Sequence, residues 1–299
     1  MCLNNNTTKS EISKGGFVNK LLEGRIIVID DLDDSRLAPF WNLRERTLRG
    51  ESIFIAEGSL VVERLLKSQY DVESILVTHK ESGYGDCFNH IGDNIPIYYV
   101  EDRKIVNKIL GFEFHQGILA LGRRKRLPSF REGLENWGEN QYKGRHTWVI
   151  LPEVTKPDNL GLVFRCAAAL GAEAVVLGEK CCDPFSRRAL RVSMGGVLQV
   201  PIFHSFNLLE EIKEIKKRWK IPFYATVLDD DALSLYELAN NESRGNLAAF
   251  VFGNEYSGLT PEQVKMCDEK IIIPMRPDID SLNLGVSVGI FLYEFNRGV

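Results

Sequence analysis

The chain has 299 residues, 44% of them apolar and 26% charged, with a net charge of −4. That length suits two domains, and the composition is that of an ordinary globular protein. No run approaches the roughly 18 uninterrupted apolar residues of a membrane span. The acidic balance excludes a wholly basic nucleic-acid-binding chain, so any such role would rest on local basic patches.

Residues 1–24, rich in Asn, Thr and Ser, lack an apolar signal-peptide core. They are expected to be a flexible polar leader, and the protein to stay in the cytoplasm. Residues 25–122 form the first expected domain. After the short apolar run RIIVID and an Arg-rich stretch to Arg49, β-branched runs alternate with helical patterns. The strands would be SIFIA, ESILVT, IPIYYV and GILALG. The helices would be GSLVVERLLKS and DRKIVNKIL, with a further one near 81–91, giving a small α/β layer. Residues 123–145 are charged and carry Pro and Gly without a clean strand, which predicts a linker. A second α/β series fills 146–299, with strands HTWVIL, EAVVLG, VLQVPIF, PFYATVL, NLAAFVFG and KIIIPM and a terminal helix from Leu282 to Phe295. This pattern predicts a largely parallel sheet covered on both faces.

The cysteines at 2, 87, 166, 181, 182 and 267 contain no C-x-x-C pair, so neither a disulfide framework nor a metal site is expected. Two basic stretches could meet phosphate, RRKR at 123–126 and KEIKKRWK at 213–220. Taken alone they read as a solvated linker end and a solvated helix face.

Three segments of the second domain depart from what packing alone would choose. In the first, a strand ends at Pro152 and a helix opens near Asn159, which could be a simple N-cap. Arg165 follows within the apolar stretch LVFRCAAAL, where a buried arginine would need an anionic partner. In the second, a buried strand runs into Gly253-Asn-Glu255-Tyr-Ser-Gly258. The glycines permit close ligand approach, and Glu255 projects at the strand's carboxyl end, where open α/β sheets bind ligands. In the third, Ile273-Pro-Met275 closes a strand, and Ser281-Leu282-Asn283 opens the terminal helix. Ser281 suits an N-cap, while Asn283 inside the first turn invites a ligand-facing role.

In order and content these segments resemble the SpoU/TrmH family of RNA 2′-O-ribose methyltransferases, within the SPOUT superfamily, over residues 146–297. Phe54-Ile-Ala-Glu57-Gly58 and His115-Gln-Gly117 are similar to the small domain, related to ribosomal RNA-binding proteins, that often precedes the catalytic one. His115 itself reads as a turn residue. The resemblance implies a deep trefoil knot, a homodimer with its active site across the interface, and S-adenosylmethionine as methyl donor, leaving S-adenosylhomocysteine and needing no metal. It also implies cofactor contacts from Gly253, Gly258, Ile273, Met275 and Leu282. Arg165 would activate the ribose hydroxyl, as a base or by positioning phosphate and alkoxide, while Asn159, Glu255, Ser281 and Asn283 orient the reactants. One departure is Gly285, which stands where many relatives have serine. The expected substrate is structured RNA, ribosomal rather than transfer RNA. The rival readings are a transfer-RNA enzyme, a non-catalytic RNA-binding relative and a nucleotide enzyme of Rossmann type. The last lacks its phosphate-binding glycine loop.

Overall fold

The computed structural model describes residues 25–43, 48, 50–78, 84–136, 145–241, 245–276 and 281–297. The chain divides into two compact units, Met1–Arg124 and Lys125–Val299. The expected leader, 1–24, lies outside the described residues.

In the first unit, strands β1 (Ile26–Val28), β2 (Ile53–Glu57), β3 (Val72–Thr78), β4 (Ile97–Val100) and β5 (Ile118–Arg123) form one sheet in the order β1-β4-β3-β5-β2. β1, β4 and β3 run parallel, and β5 is antiparallel to both β3 and β2. Helices α1 (Ser59–Leu66) and α2 (Arg103–Leu110) complete it. Leu76, Val106, Ile109 and Phe114 belong to its fully buried core. The region near 81–91 yields only a 3-10 turn, Gly85–His90, among the described residues.

Among the described residues the second unit holds seven strands, all parallel, in the order β10-β12-β9-β11-β6-β7-β8. They are β6 (His146–Leu151), β7 (Ala174–Gly178), β8 (Ile202–Ser205), β9 (Phe223–Thr226), β10 (Leu233–Ser234), β11 (Leu247–Val251) and β12 (Glu269–Ile272), and the short helices α5 (Arg187–Val192), α7 (Leu235–Ala239) and α8 (Pro261–Met266) lie among the longer ones named below. Alternate residues of a strand face opposite sides of its sheet, and both sides are covered here. Trp148, Val176, Ala249 and Val251 share a core with Phe130 and Leu134 of α3 (Phe130–Asn136) and Ile212 and Ile215 of α6 (Leu208–Trp219). Phe250, pointing the other way, meets Phe291 and Phe295 of α9 (Leu284–Asn296) at ring distances of 5.1 and 5.4 Å.

Two expectations need correction. Residues 123–145 are not simply a linker. Arg123 closes β5 and α3 packs into the second core, because Phe130 and Leu134 are buried apolar side chains in a charged stretch. Residues 137–144 lie outside the described residues. The run VLQVPIF is not one strand either. Gly196–Leu198 forms a 3-10 turn, and the strand begins at Ile202, after Pro201. The turn is pinned beneath α4 (Pro157–Leu170), where a Cβ on Gly196 would fall 2.8 Å from the Phe164 carbonyl oxygen.

Neither basic stretch is a free patch. Arg123 pairs with Glu73, Arg124 donates to the carbonyls of Ile53 and Leu48, and Arg126 pairs with Glu132. On α6, Lys213, Lys216 and Arg218 pair with Glu210, Asp268 and Glu135. Among the described residues no helix is long and apolar enough to cross a membrane.

Candidate functional site

Helix α4 opens with Pro157 at its first position, where the missing N–H costs no hydrogen bond, and Asp158 suits the positive end of the helix dipole. It ends at Gly171 in the left-handed conformation, φ 73°. Asn159 is therefore inside the first turn and is not the cap. Its Nδ2 donates to Glu255 Oε1 at 2.5 Å, and its Oδ1 accepts from Asn283 Nδ2 at 2.9 Å. Asn283, not Ser281, caps α9, with Oδ1 accepting from the Gly285 N–H at 2.9 Å. One hydrogen-bonded chain, Asn283–Asn159–Glu255, thus joins the three segments singled out from sequence.

The expected burial of Arg165 does not occur. The face of α4 turned to the sheet carries Leu160, Val163, Phe164 and Ala167, all buried. Arg165 falls on the opposite side and is exposed. The stretch is apolar for a second reason, because α4 has a further neighbour in α9. A Cβ on Gly285 would fall 2.4 Å from Leu162 Cγ, and one on Gly289 3.2 Å from Cys166 Sγ. The small residues therefore serve a close contact within the chain.

The Glu255 loop is held shut by its own backbone, the Asn254 and Gly258 N–H groups each donating to the other's carbonyl at 3.1 and 2.9 Å. A Cβ on Gly253 would fall 2.3 Å from the Gly258 carbonyl carbon, and Gly258 has φ 66°. Glycine is required at both places. Asn254 Nδ2 donates to Glu153 Oε1 at 3.1 Å, tying the loop to the end of β6. Lys156 sits 4.7 Å over the exposed Tyr256 ring, and its hydrogen bond with that residue raises the amine above its usual pKa.

This loop walls a cavity of about 320 Å³ at the carboxyl ends of β9, β11 and β12. Gly253, Gly258, Ile273, Met275 and Leu282 all border it, as do Glu255 and Ser281. Asn159 and Asn283 reach it through Glu255, while Arg165 does not border it. Residues missed from sequence also contribute, namely Thr226–Leu228, Ser287 and Phe291. Thr226–Leu228 could have been found, since they follow a strand's carboxyl end as the Glu255 loop does. The wall is mainly apolar, yet Glu255 Oε2 is buried there without a hydrogen-bond partner. A cavity with apolar walls, a close backbone and one spare buried acceptor fits an adenosine-type cofactor with ribose hydroxyls to donate.

The model of the SpoU rRNA methylase family matches residues 146–293. A protein of Mycobacterium bovis, an uncharacterised tRNA/rRNA methyltransferase, is 32% identical over 273 residues, which span 89% of this chain and 90% of that one. The 23S rRNA (guanosine-2′-O-)-methyltransferase RlmB of Acinetobacter baylyi is 32% identical across 65% of this chain and 76% of its own. The crystal structure of an AdoMet-bound rRNA methyltransferase from Sinorhizobium meliloti covers 92% of this chain and 98% of that one, with a TM-score of 0.72 at 23% identity. That last likeness is one of fold.

Proposed function

Because this chain belongs to the SpoU rRNA methylase family, we propose that it transfers a methyl group from S-adenosylmethionine to a ribose 2′-hydroxyl of RNA, ribosomal RNA in preference to transfer RNA. The observation that carries this reading is the Asn283–Asn159–Glu255 chain, which ends on the wall of the apolar cavity. The rRNA enzyme among its relatives supports the choice of RNA.

Gly253, Gly258, Ile273, Met275 and Leu282 would hold the cofactor, which when bound supplies a methyl group already activated by its positively charged sulfur. Glu255 Oε2 is the acceptor available to a hydroxyl or amine inside the cavity, with Oε1 committed to Asn159. Ser281 offers a hydroxyl on the same wall. Arg165 is an exposed cation with no ion-pair partner among the described residues. A guanidinium with five donors can bind an RNA phosphate and stabilise developing alkoxide, and we assign it that positioning role. The N-terminal unit would read the RNA, whose loops and 2′-hydroxyls present shape more than groove sequence.

A homodimer and a knotted C-terminal region belong to the same reading. Strands β9, β11 and β12 lie out of chain order, which supports the knot. An apolar groove of about 460 Å³, bordered by Tyr236, Val286 and Tyr293, supports the dimer. Ile273 borders both this groove and the cavity, so a second copy seated there would adjoin the cofactor site.

The test is calorimetric titration of the purified protein with S-adenosylmethionine, paired with methylation of ribosomal RNA. Saturable binding is expected; its absence would refute the proposal. Arg165→Ala should retain cofactor binding and lose methyl transfer, and an unchanged turnover would remove Arg165 from the mechanism.

A further inference from the structure

A second cavity, of about 520 Å³, shares Asn254 and Gly258 with the first and is not used by the proposed reaction. It lies at the carboxyl ends of β6, β7 and β8, at Pro152, Gly178 and Ser205, and is closed by the outer side of the Glu255 loop. Its size is within the roughly 300–1,000 Å³ of small-molecule sites.

Three features describe what would fit it. Phe206, immediately after β8, is 79% exposed, with its ring edge-on to His204 at 4.5 Å. A ring left open at the border of a polar cavity offers a face for a flat partner. Ser205 is 1% exposed, and its Oγ has no hydrogen-bond partner. Buried hydroxyls are normally satisfied, so this one is set for a group from outside. The charged groups are chiefly carboxylates. Glu153 is engaged by Asn254 and by Lys180 at 4.0 Å, whereas Glu179 and Glu262 have no ion pair among the described residues. Such walls repel phosphate and accept N–H donors.

We propose that this cavity binds an unstacked nucleobase of the RNA substrate, distinct from the nucleotide that is methylated. The base stacks on Phe206 and turns its N–H edge to the free carboxylates and Ser205. Guanine matches best, because its ring N–H and amino group donate side by side to a carboxylate while its carbonyl accepts from a serine hydroxyl. Uracil, with two carbonyls flanking one N–H, matches worst. The inference rests on the RNA reading above, and it adds base selection by the catalytic unit itself.

Guanosine titrated into the full-length protein, with S-adenosylhomocysteine at saturation to fill the first cavity, tests this through broadening of the base proton resonance. Saturable binding is expected, with uridine weaker. Phe206→Ala should weaken it about five- to 150-fold, the ~1–3 kcal/mol of a base–aromatic stack, and Phe206→Trp should restore it. Ser205→Ala should weaken it as well. S-adenosylhomocysteine affinity should be unchanged in all three variants. The exposure of Phe206 makes its variants safe for folding. Absent guanosine binding, binding indifferent to Phe206→Ala, or equal binding of uridine would each overturn the proposal. So would displacement of guanosine by spermidine that Glu179→Gln abolishes, since the acids would then serve a polyamine. Loss of S-adenosylhomocysteine binding alone, with guanosine binding intact, would count against the methyltransferase reading and not against the base site.

Discussion

Asn283 does two jobs with one amide, and the two can be separated. Its oxygen caps α9 through the Gly285 N–H, and its nitrogen holds Asn159, which holds Glu255. Serine is nearly as good a cap as asparagine but cannot donate to Asn159 in the same way. Asn283→Ala should lower stability by about 1 kcal/mol, seen as a lower denaturation midpoint, while Asn283→Ser should leave it nearly unchanged. Both should slow methyl transfer about tenfold, the ~1.4 kcal/mol of one orienting hydrogen bond. Full activity in Asn283→Ser would show that the chain is structural only. Sequence picked these residues and exchanged their roles, because a helix start is uncertain by one or two positions and that shift decides which polar residue is the cap. The burial of Arg165 was misread because apolar neighbours there serve two packing faces, not one. Two thiols, the buried Cys181 and the half-buried Cys267, give a further test at this scale. Burial pushes Cys181 and Cys267 up from 9.0 to about 12, and the thiolate is the nucleophile. At pH 8 both should resist iodoacetamide in the folded protein and react on denaturation, as peptide mass spectrometry would show. Because the folded values are raised, this burial favours the fold below about pH 9, and the benefit is lost as pH climbs towards 12. Ready labelling of Cys181 in the native protein would contradict its burial.

The pairing of α4 with α9 carries the site. The two helices run side by side in the same direction, with Asn159 against Asn283, Leu162 against Gly285 and Cys166 against Gly289. At their far ends Asn296 Nδ2 donates to the Leu170 carbonyl at 2.9 Å. The glycine at 285 has a local reason, since Leu162 occupies the space a side chain would need. Gly285→Ser should therefore destabilise by about 1–3 kcal/mol through overpacking, measured by denaturant unfolding. Gly285→Ser combined with Leu162→Ala should recover part of that loss, and no recovery would mean that the glycine is needed for some other reason. The main strands were legible because each is a short apolar run ending at a turn signal. The helix Arg187–Val192, Leu235–Ala239 and the two-residue β10 were not, being shorter than the window over which periodicity can be judged. The Glu255 loop was legible as a glycine-flanked turn. Its second cavity was not, because Ser205 and Phe206 meet that loop only through the order of strands in the sheet.

At the scale of the whole molecule, the question is what covers α9. Val286, Tyr293 and Tyr236 are 44%, 62% and 63% exposed along one apolar groove, although six of the 13 residues of α9 are buried. A contiguous apolar patch of this kind marks an interaction surface, and in a symmetric dimer the same patch would meet its own copy. Light scattering should give twice the 33.9 kDa chain mass. Tyr293→Asp should reduce it to the single-chain value without unfolding the protein, since the replaced side chain is already open in one copy. Such a dimer would also bear on Arg165, which is exposed and outside the cavity of its own chain. If it serves the partner's cavity, Arg165→Ala and Glu255→Ala are defects of different halves of a shared site. Mixing these two inactive variants should then restore part of the methyl transfer, because each mixed dimer joins an intact Arg165 to an intact Glu255. A mixture as inactive as its components, despite verified subunit exchange, would place Arg165 and Glu255 in the same half-site and remove the partner from the reaction.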